Sequence, residues 1–349
     1  MKLSLIELRH SLLNSLAKGA CLLASLPIIH AQDLSTVAPS IPGKNYLLSL
    51  NASNTQLPFP VDVIALKNST QADEASRRRT AFRCERIHAN TQGLWACLSR
   101  WMPLSVGGKQ RVLGAPQVHV VNAQGDIVHS SLAGGTTPSR VQVSPNGQWV
   151  ASTSFILGNS YGGKGGLHFS TDTRMTRVGH ASSSLLLQNF QVHKAGQVIR
   201  SPNLQFWGVT FSPLNPDEFY VAVYINDARH IARGSIKNQS VDIVLTGYEC
   251  PSFSPNGKHL AMKRSSKDGA QHPSVLHLAD MKITDFQHAN FRDDQIAWLD
   301  HQHIMFRTEI PVNGIVWSAS TSILHIEHEN LQALIDPGVS TVRIGWTKH

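Results

Sequence analysis

Glu249 and Asp294 are the carboxylates whose placement most invites a chemical reading. Each stands four residues before an aromatic residue, Phe253 and Trp298. Two carboxylates facing one cleft can do the acid–base and nucleophilic work of glycoside hydrolysis. Their oxygens could also hold Ca²⁺, although no Asp-rich calcium loop accompanies them. Counting back in the same way from Val143 and Phe211 reaches Ser139 and Trp207. The next residues along are Arg140, Gly208, Cys250 and Gln295. With Asp293 beside Asp294, the candidate ligand-binding set is Arg140, Trp207, Glu249, Asp293, Asp294 and Gln295. Polar residues opening an apolar strand are easily explained if they face a wet channel. The competing reading is that they hydrogen-bond neighbouring backbones and hold the assembly together.

Other chemistry-bearing patterns are less complete. "GNSYGGKG" places Gly158, Gly163 and Lys164 at most positions of a phosphate-binding loop. Gly165 stands where Ser or Thr should hold Mg²⁺, and no helix pattern follows, so the stretch reads as an inter-strand loop. His301 and His303 have strand spacing, as do His325 and Glu327 with His328 beside them. They supply half a metal site without a second half, so they read as exposed polar histidines and no metal is expected. There is no G-x-S-x-G elbow, which argues against a serine hydrolase of that type. No cofactor motif is present.

The elements that position these residues are written as a repeat. "VQVSPNGQWVAS" and "PSFSPNGKHLAM" each place an apolar strand on either side of Ser-Pro-Asn-Gly. Pro presets φ at the second turn position, Asn tolerates left-handed geometry and Gly accepts positive φ, so this tetrapeptide reverses the chain. The anchors Val143, Phe211, Phe253 and Trp298 are 68, 42 and 45 residues apart, and each is followed by another strand. Further strand candidates follow each pair. Four strands recurring every 40–50 residues or so mark propeller blades. The sequence therefore predicts an all-β chain: a six-bladed β-propeller of four-stranded antiparallel blades, with seven blades also compatible. The last strand candidate, "STVRIGWT", would join "KNYLLSL" and "VDVIAL" to close the ring without exposed edges. The strand leading into each turn would be the innermost of its blade.

The first 31 residues combine Lys2, Arg9 and Lys18 with an apolar run from Ala20 to Ile29, the pattern of a secretory signal peptide. Lys18 stands where a lipobox before Cys21 wants an apolar residue. Residues 32–349 then form a single domain, with a polar loop or linker at about 67–80 that holds Arg77, Arg78 and Arg79. The net charge of +8 becomes +6 once Lys2, Arg9, Lys18 and Glu7 are removed. A basic exported protein suits an acidic partner or surface, and one arginine run is poor evidence for nucleic acid. Cys84 and Cys97 flank a turn, "ANTQG". Paired in one hairpin, with Arg86 facing Trp95, they would form a disulfide, as an exported location permits. Cys250 is left over, as a small buried residue or a thiol.

The phrases "SRVQVSPNGQWVASTSF", "FSTDT", "FWGVTFSP", "ECPSFSPNGKHLAMK" and "DDQIAWLD" occur in that order between Cys84 and Trp317. Together they resemble exported bacterial TolB-like, WD-repeat-related propeller proteins. The resemblance implies six blades and a periplasmic or secreted location, and it supplies no reaction. TolB itself is a periplasmic protein-binding component of a cell-envelope complex. About fifty residues separate the signal from Cys84, too few for TolB's separate N-terminal α/β domain. The expected function is a binding or scaffold module of the cell envelope, without catalysis, whose partner is an envelope protein or cell-surface ligand. No nucleic acid and no transmembrane segment are expected. The alternative is an envelope enzyme acting on a glycan at the channel mouth through Glu249 and Asp294.

Overall fold

The computed structural model describes residues 45–53, 57–102, 112–158, 169–265, 271–287, 291, 295–312 and 316–344. The signal segment, Asp293, Asp294 and the Gly-rich stretch from residue 159 lie outside the described residues. The chain forms six sheets arranged as propeller blades, each built on four antiparallel strands and numbered here in chain order. Their innermost strands are Val339–Ile344 in blade 1, Arg86–Ala89 in blade 2 and Thr137–Val143 in blade 3. In blades 4, 5 and 6 they are Gln205–Phe211, Tyr248–Phe253 and Ala297–Trp298. Each inner strand lies beside the next, and the sixth returns to the first.

Closure follows the expected route. Val339–Ile344 pairs with Tyr46–Leu50, so blade 1 is made from both ends of the described chain. Leu47, Leu48 and Leu50 are fully buried there with Val339 and Val342. The apolar clusters lie largely between blades. Met175 of blade 3, for example, packs with Phe206 and Phe219 of blade 4. Burying both faces of every blade explains why the strands read as apolar runs rather than strict alternation.

The two Ser-Pro-Asn-Gly turns share one hydrogen-bond pattern. Ser144 Oγ donates to Asn146 Oδ1 at 2.8 Å and accepts from Trp149 N at 2.9 Å. Ser254 Oγ bonds Asn256 Oδ1 and His259 N at the same distances. Gly147 and Gly257 both have φ of 69°, which a side chain would strain. In blade 2 the turn is Asn90–Gly93, with Asn90 Oδ1 accepting from Gln92 N and Leu94 N.

Two sequence expectations change in detail. The Cys84–Cys97 disulfide is present, but it is not an intra-hairpin bond. Cys84 ends the outer strand Gln71–Cys84 of blade 1, and Cys97 sits in the second strand of blade 2. Trp95 faces Ala89, and Arg86 faces Leu98. The disulfide therefore ties one blade to the next. The stretch at 67–80 is not a linker. Phe59–Asn68 and Gln71–Cys84 form a hairpin, and Arg77 and Arg79 both reach the buried carboxylate of Asp62 at 3.2 Å. An exposed outer strand carries the composition of a loop, because one face meets water and edge charge discourages pairing with another chain. The long step between Val143 and Phe211 also holds a further hairpin. Gln191–Lys194 and Gln197–Ile199 form a hairpin that adds to the outer edge of blade 4, its first strand parallel to Ser240–Thr246.

Candidate functional site

The inner strands present one edge to the axis, where no further strand can pair with them. Side chains from the preceding blade satisfy part of that edge. His88 Nδ1 in blade 2 accepts from Val143 N at 3.1 Å. Gln142 Oε1 in blade 3 accepts from Phe211 N at 3.0 Å. Thr210 Oγ1 in blade 4 accepts from Phe253 N at 3.0 Å, and also from Gln142 Nε2 at 3.2 Å. In each case the accepting residue stands one position before its own blade's anchor. The seam from blade 5 to blade 6 reverses direction, with Trp298 Nε1 donating to Ser252 O at 2.9 Å. Arg343 of blade 1 joins blade 6 to blade 1 by donating to Leu299 O at 2.8 Å, and it also donates to Asn45 Oδ1 of its own blade at 3.1 Å.

Above this circuit, at the end where the Ser-Pro turns converge, lies a cavity of about 440 Å³ to which all six blades contribute. Its walls include Phe211, Phe253, Trp298 and the prolines at 145, 213, 216 and 255. Among the described residues of its lining the titratable side chains are His88 and Arg343, and none of these residues is a carboxylate. Burial pushes the His88 pKa down to about 3, so the ring is neutral. Because Nδ1 accepts the Val143 N–H, the neutral ring carries its proton on Nε2. Burial also lowers the Arg343 pKa, opposed by Asp300 nearby. An arginine remains charged under these conditions. Among the described residues the cavity thus combines apolar walls, polar groups and the Arg343 guanidinium.

The described candidate residues stand toward the other end of the inner strands, two positions (Arg140) or three (Trp207, Glu249) from the stitching residues, about 7–10 Å. Trp207 is fully buried with Phe155, Ala222 and Cys250, and Phe169 meets it edge-on at 5.5 Å. Glu249 is buried, with Oε1 3.5 Å from Arg229 Nε of blade 4. Arg140 is buried too. It donates to Ser139 O at 2.9 Å and reaches from blade 3 to Cys250 Sγ of blade 5 at 3.8 Å. Gly208 lies between, where an added Cβ would stand 3.3 Å from Cys250 Cα. The structure thus brings Arg140, Trp207 and Glu249 into one neighbourhood around Cys250. Gln295 is partly exposed at the start of blade 6. None of Arg140, Trp207, Glu249 and Gln295 lines the cavity.

Sequence reasoning missed two groups. Glu85 occupies in blade 2 the position of Glu249 in blade 5. It is buried and takes both Nε and Nη2 of Arg100 at 2.9 Å. Counting back four from Ala89 finds it, once Asn90–Gly93 is taken as that blade's turn. The cavity residues Gln142, Thr210 and Ser252 were also missed. All three stand one residue before their anchors, and that shared offset is the only signal they carry. Of the histidines, His303 Nδ1 lies 2.8 Å from Asp300, and His325 lies with its ring centroid 4.7 Å from His303 and 4.4 Å from His328. Among the described residues no group of three or more metal-ligating side chains is gathered to hold a metal ion.

The fold is similar to two solved TolB structures. TolB from Acinetobacter baumannii superimposes with a TM-score of 0.55 at 11% identity, covering 89% of this chain and 69% of that one. A TolB described as putative, from Agrobacterium tumefaciens, gives a TM-score of 0.52 at 10% identity, covering 86% and 93%. No family profile and no curated protein matches the chain. At these identities the likeness is one of fold, a six-bladed propeller.

Proposed function

We propose that this protein is an exported propeller that binds an envelope protein or cell-surface ligand at the Ser-Pro-turn mouth, without catalysis. One observation carries this reading: all six blades build a single cavity there, from prolines, aromatics and hydrogen-bond donors. Such lining favours binding, since apolar walls with a few fixed polar groups give affinity and orientation. The inter-blade disulfide supports export, because cystines persist in oxidising compartments. The TolB fold supports a display role by analogy alone. In this reading Arg140, Trp207 and Glu249 are the clamp at the far end that holds blades 3, 4 and 5 together. No helix among the described residues is long and apolar enough to cross a membrane.

A photo-crosslinking residue at Gln92, exposed beside the mouth, tests the reading in intact cells. A second copy at Met281, half exposed on blade 5, serves as control. A product specific to Gln92, and lost when Thr91→Trp blocks the mouth in the same chain, is the expected result. Equal products from both positions would overturn it. So would glycan turnover abolished by Glu249→Gln or Asp294→Asn.

A further inference from the structure

Blade 6 gathers three histidines at one tip, and His325 among them makes a hydrogen bond that a proton must break. His325 ends the strand Val316–His325 and faces His303, which opens the neighbouring strand His303–Val312. Their rings meet edge-on at a centroid distance of 4.7 Å. His325 is also stacked on His328, at 4.4 Å with 23° between the planes. Its Nδ1 accepts from Glu327 N at 3.1 Å. An imidazole that accepts at Nδ1 is neutral and carries its proton on Nε2. A second proton would go onto Nδ1, against the Glu327 N–H, and the bond could not survive.

Three backbone bonds share in holding this turn. Glu329 N donates to His325 O at 3.1 Å, His325 N to Asn330 O at 3.3 Å and Ile326 N to Gln302 O at 2.9 Å. The last sets the turn against the one at 299–302, at the end of the propeller that holds the mouth. Glu329 has φ of 50°, a left-handed conformation unfavourable for glutamate, so these bonds hold strained backbone in place. The charged and titratable groups around His325 are of both signs. Asp300 holds His303 Nδ1 at 2.8 Å, and Arg343 acts on Asp300 from blade 1. Glu327, His328 and Glu329 share the turn, and His259 of blade 5 lies within electrostatic reach of Glu327. Burial, and then His303 and His328, lower the His325 pKa, while Glu327 and Asp300 oppose them. The turn therefore favours the neutral ring. Its contribution is complete above the ordinary value of 6.5 and is lost as the pH falls below it.

We propose that His325 is an acid-sensitive latch: its protonation breaks the bond to Glu327 N, sets like-charged rings against one another and releases the turn 325–330, while the six blades stay closed. Release frees the start of the outer strand Leu331–Ile335, which is held to Val316–His325 through the pair Leu331 and Leu324. The rim of the turn face then changes with pH, whether or not the mouth binds a partner.

Nitrogen-15 relaxation on the purified, disulfide-bonded chain tests this at about pH 7.5 and about pH 4.5, on either side of the ordinary histidine value. At the higher pH the order parameters of residues 326–330 should match those of the turn at 144–147, about 0.85 for rigid backbone. At the lower pH they should fall to roughly 0.6 or below at 326–330 alone. His325→Gln offers a side-chain carbonyl in place of Nδ1 and cannot titrate, so its turn should stay ordered at both pH values. His325→Ala should be loose at both. An unchanged turn in the acidified wild type would overturn the inference. So would a pH-dependent loss of order that persists in His325→Gln. Loss of order at 326–330 and 144–147 together would mean global unfolding, and would overturn the latch as a local device.

Discussion

The two ends of the central channel use the same six strands and spend their polar groups differently. At the far end, polar side chains are buried and paired: Glu249 with Arg229 of blade 4, Glu85 with Arg100 of its own blade, and Arg140 with the Cys250 sulfur of blade 5. At the turn end, small neutral side chains stitch one inner strand to the next and leave a cavity above them. The difference teaches that a charged residue at the start of a propeller strand can be buried and paired rather than open to a channel. Charge that is buried and paired serves the ring. The turn end is marked instead by a volume shared among all six blades, where the proposed ligand would sit.

The comparison breaks most visibly at the far end. Trp207→Ala removes a fully buried indole between blades. It should cost about 3–5 kcal/mol by denaturant unfolding, while the folded fraction keeps its ligand affinity. Glu249→Gln leaves Arg229 beside a neutral amide, and should cost roughly 3 kcal/mol with the same preserved affinity. A loss of binding without a loss of stability in either variant would move the site to the far end.

The stitches give smaller effects. Gln142→Ala leaves the Phe211 N–H without its acceptor and should cost about 1–3 kcal/mol. Hydrogen exchange at Phe211 should accelerate more than at Phe253, whose acceptor is Thr210. Equal acceleration at both would mean that the seam does not depend on this side chain.

The smallest and most specific effect is a pH dependence. The His88 pKa is lowered in the fold, from 6.5 to about 3. Its neutral form is therefore favoured by folding, and the unfolded chain binds the extra proton. That contribution is complete above pH 6.5 and is lost as pH falls toward 3. Other histidines, including His129 and His259, are shifted in the same direction by burial. The test is thus a difference: His88→Gln should flatten the fall of stability between these pH values by about one proton. An unchanged slope would mean that His88 does not hold the seam as a neutral acceptor.

Much of this fold was legible in the residues. The recurrent anchors with their turns require antiparallel pairs, their period requires blades, and "STVRIGWT" pairs with the N-terminal strands as closure demands. The identity of the inner strands was legible too, because each leads into its turn. What could not be read was which side chains face the axis. Counting by twos fails across a bulge, where two residues oppose one. Gly208 and Val209 oppose Val221, and Cys250 and Pro251 oppose Met262. At these bulges Gly208 has φ of 65° and Cys250 of 53°. Each bulge falls between the residues counted from the sequence and those that line the cavity. The disulfide was legible as a pair and not as a place, since nothing local says that Cys84 belongs to the preceding blade. Gln142, Thr210 and Ser252 were silent because short neutral polar residues are common in any strand that meets water at one edge.

The most direct test sets the two ends against each other in one experiment. Crosslinking from Gln92 in intact cells, normalised to folded protein, is measured for the wild type, Thr91→Trp and Glu249→Gln, with the melting temperature of each. Our account predicts that Thr91→Trp abolishes the crosslink at unchanged melting temperature, while Glu249→Gln melts earlier and crosslinks normally. The opposite pattern, with a crosslink indifferent to Thr91→Trp and lost in a fully stable Glu249→Gln protein, would contradict it.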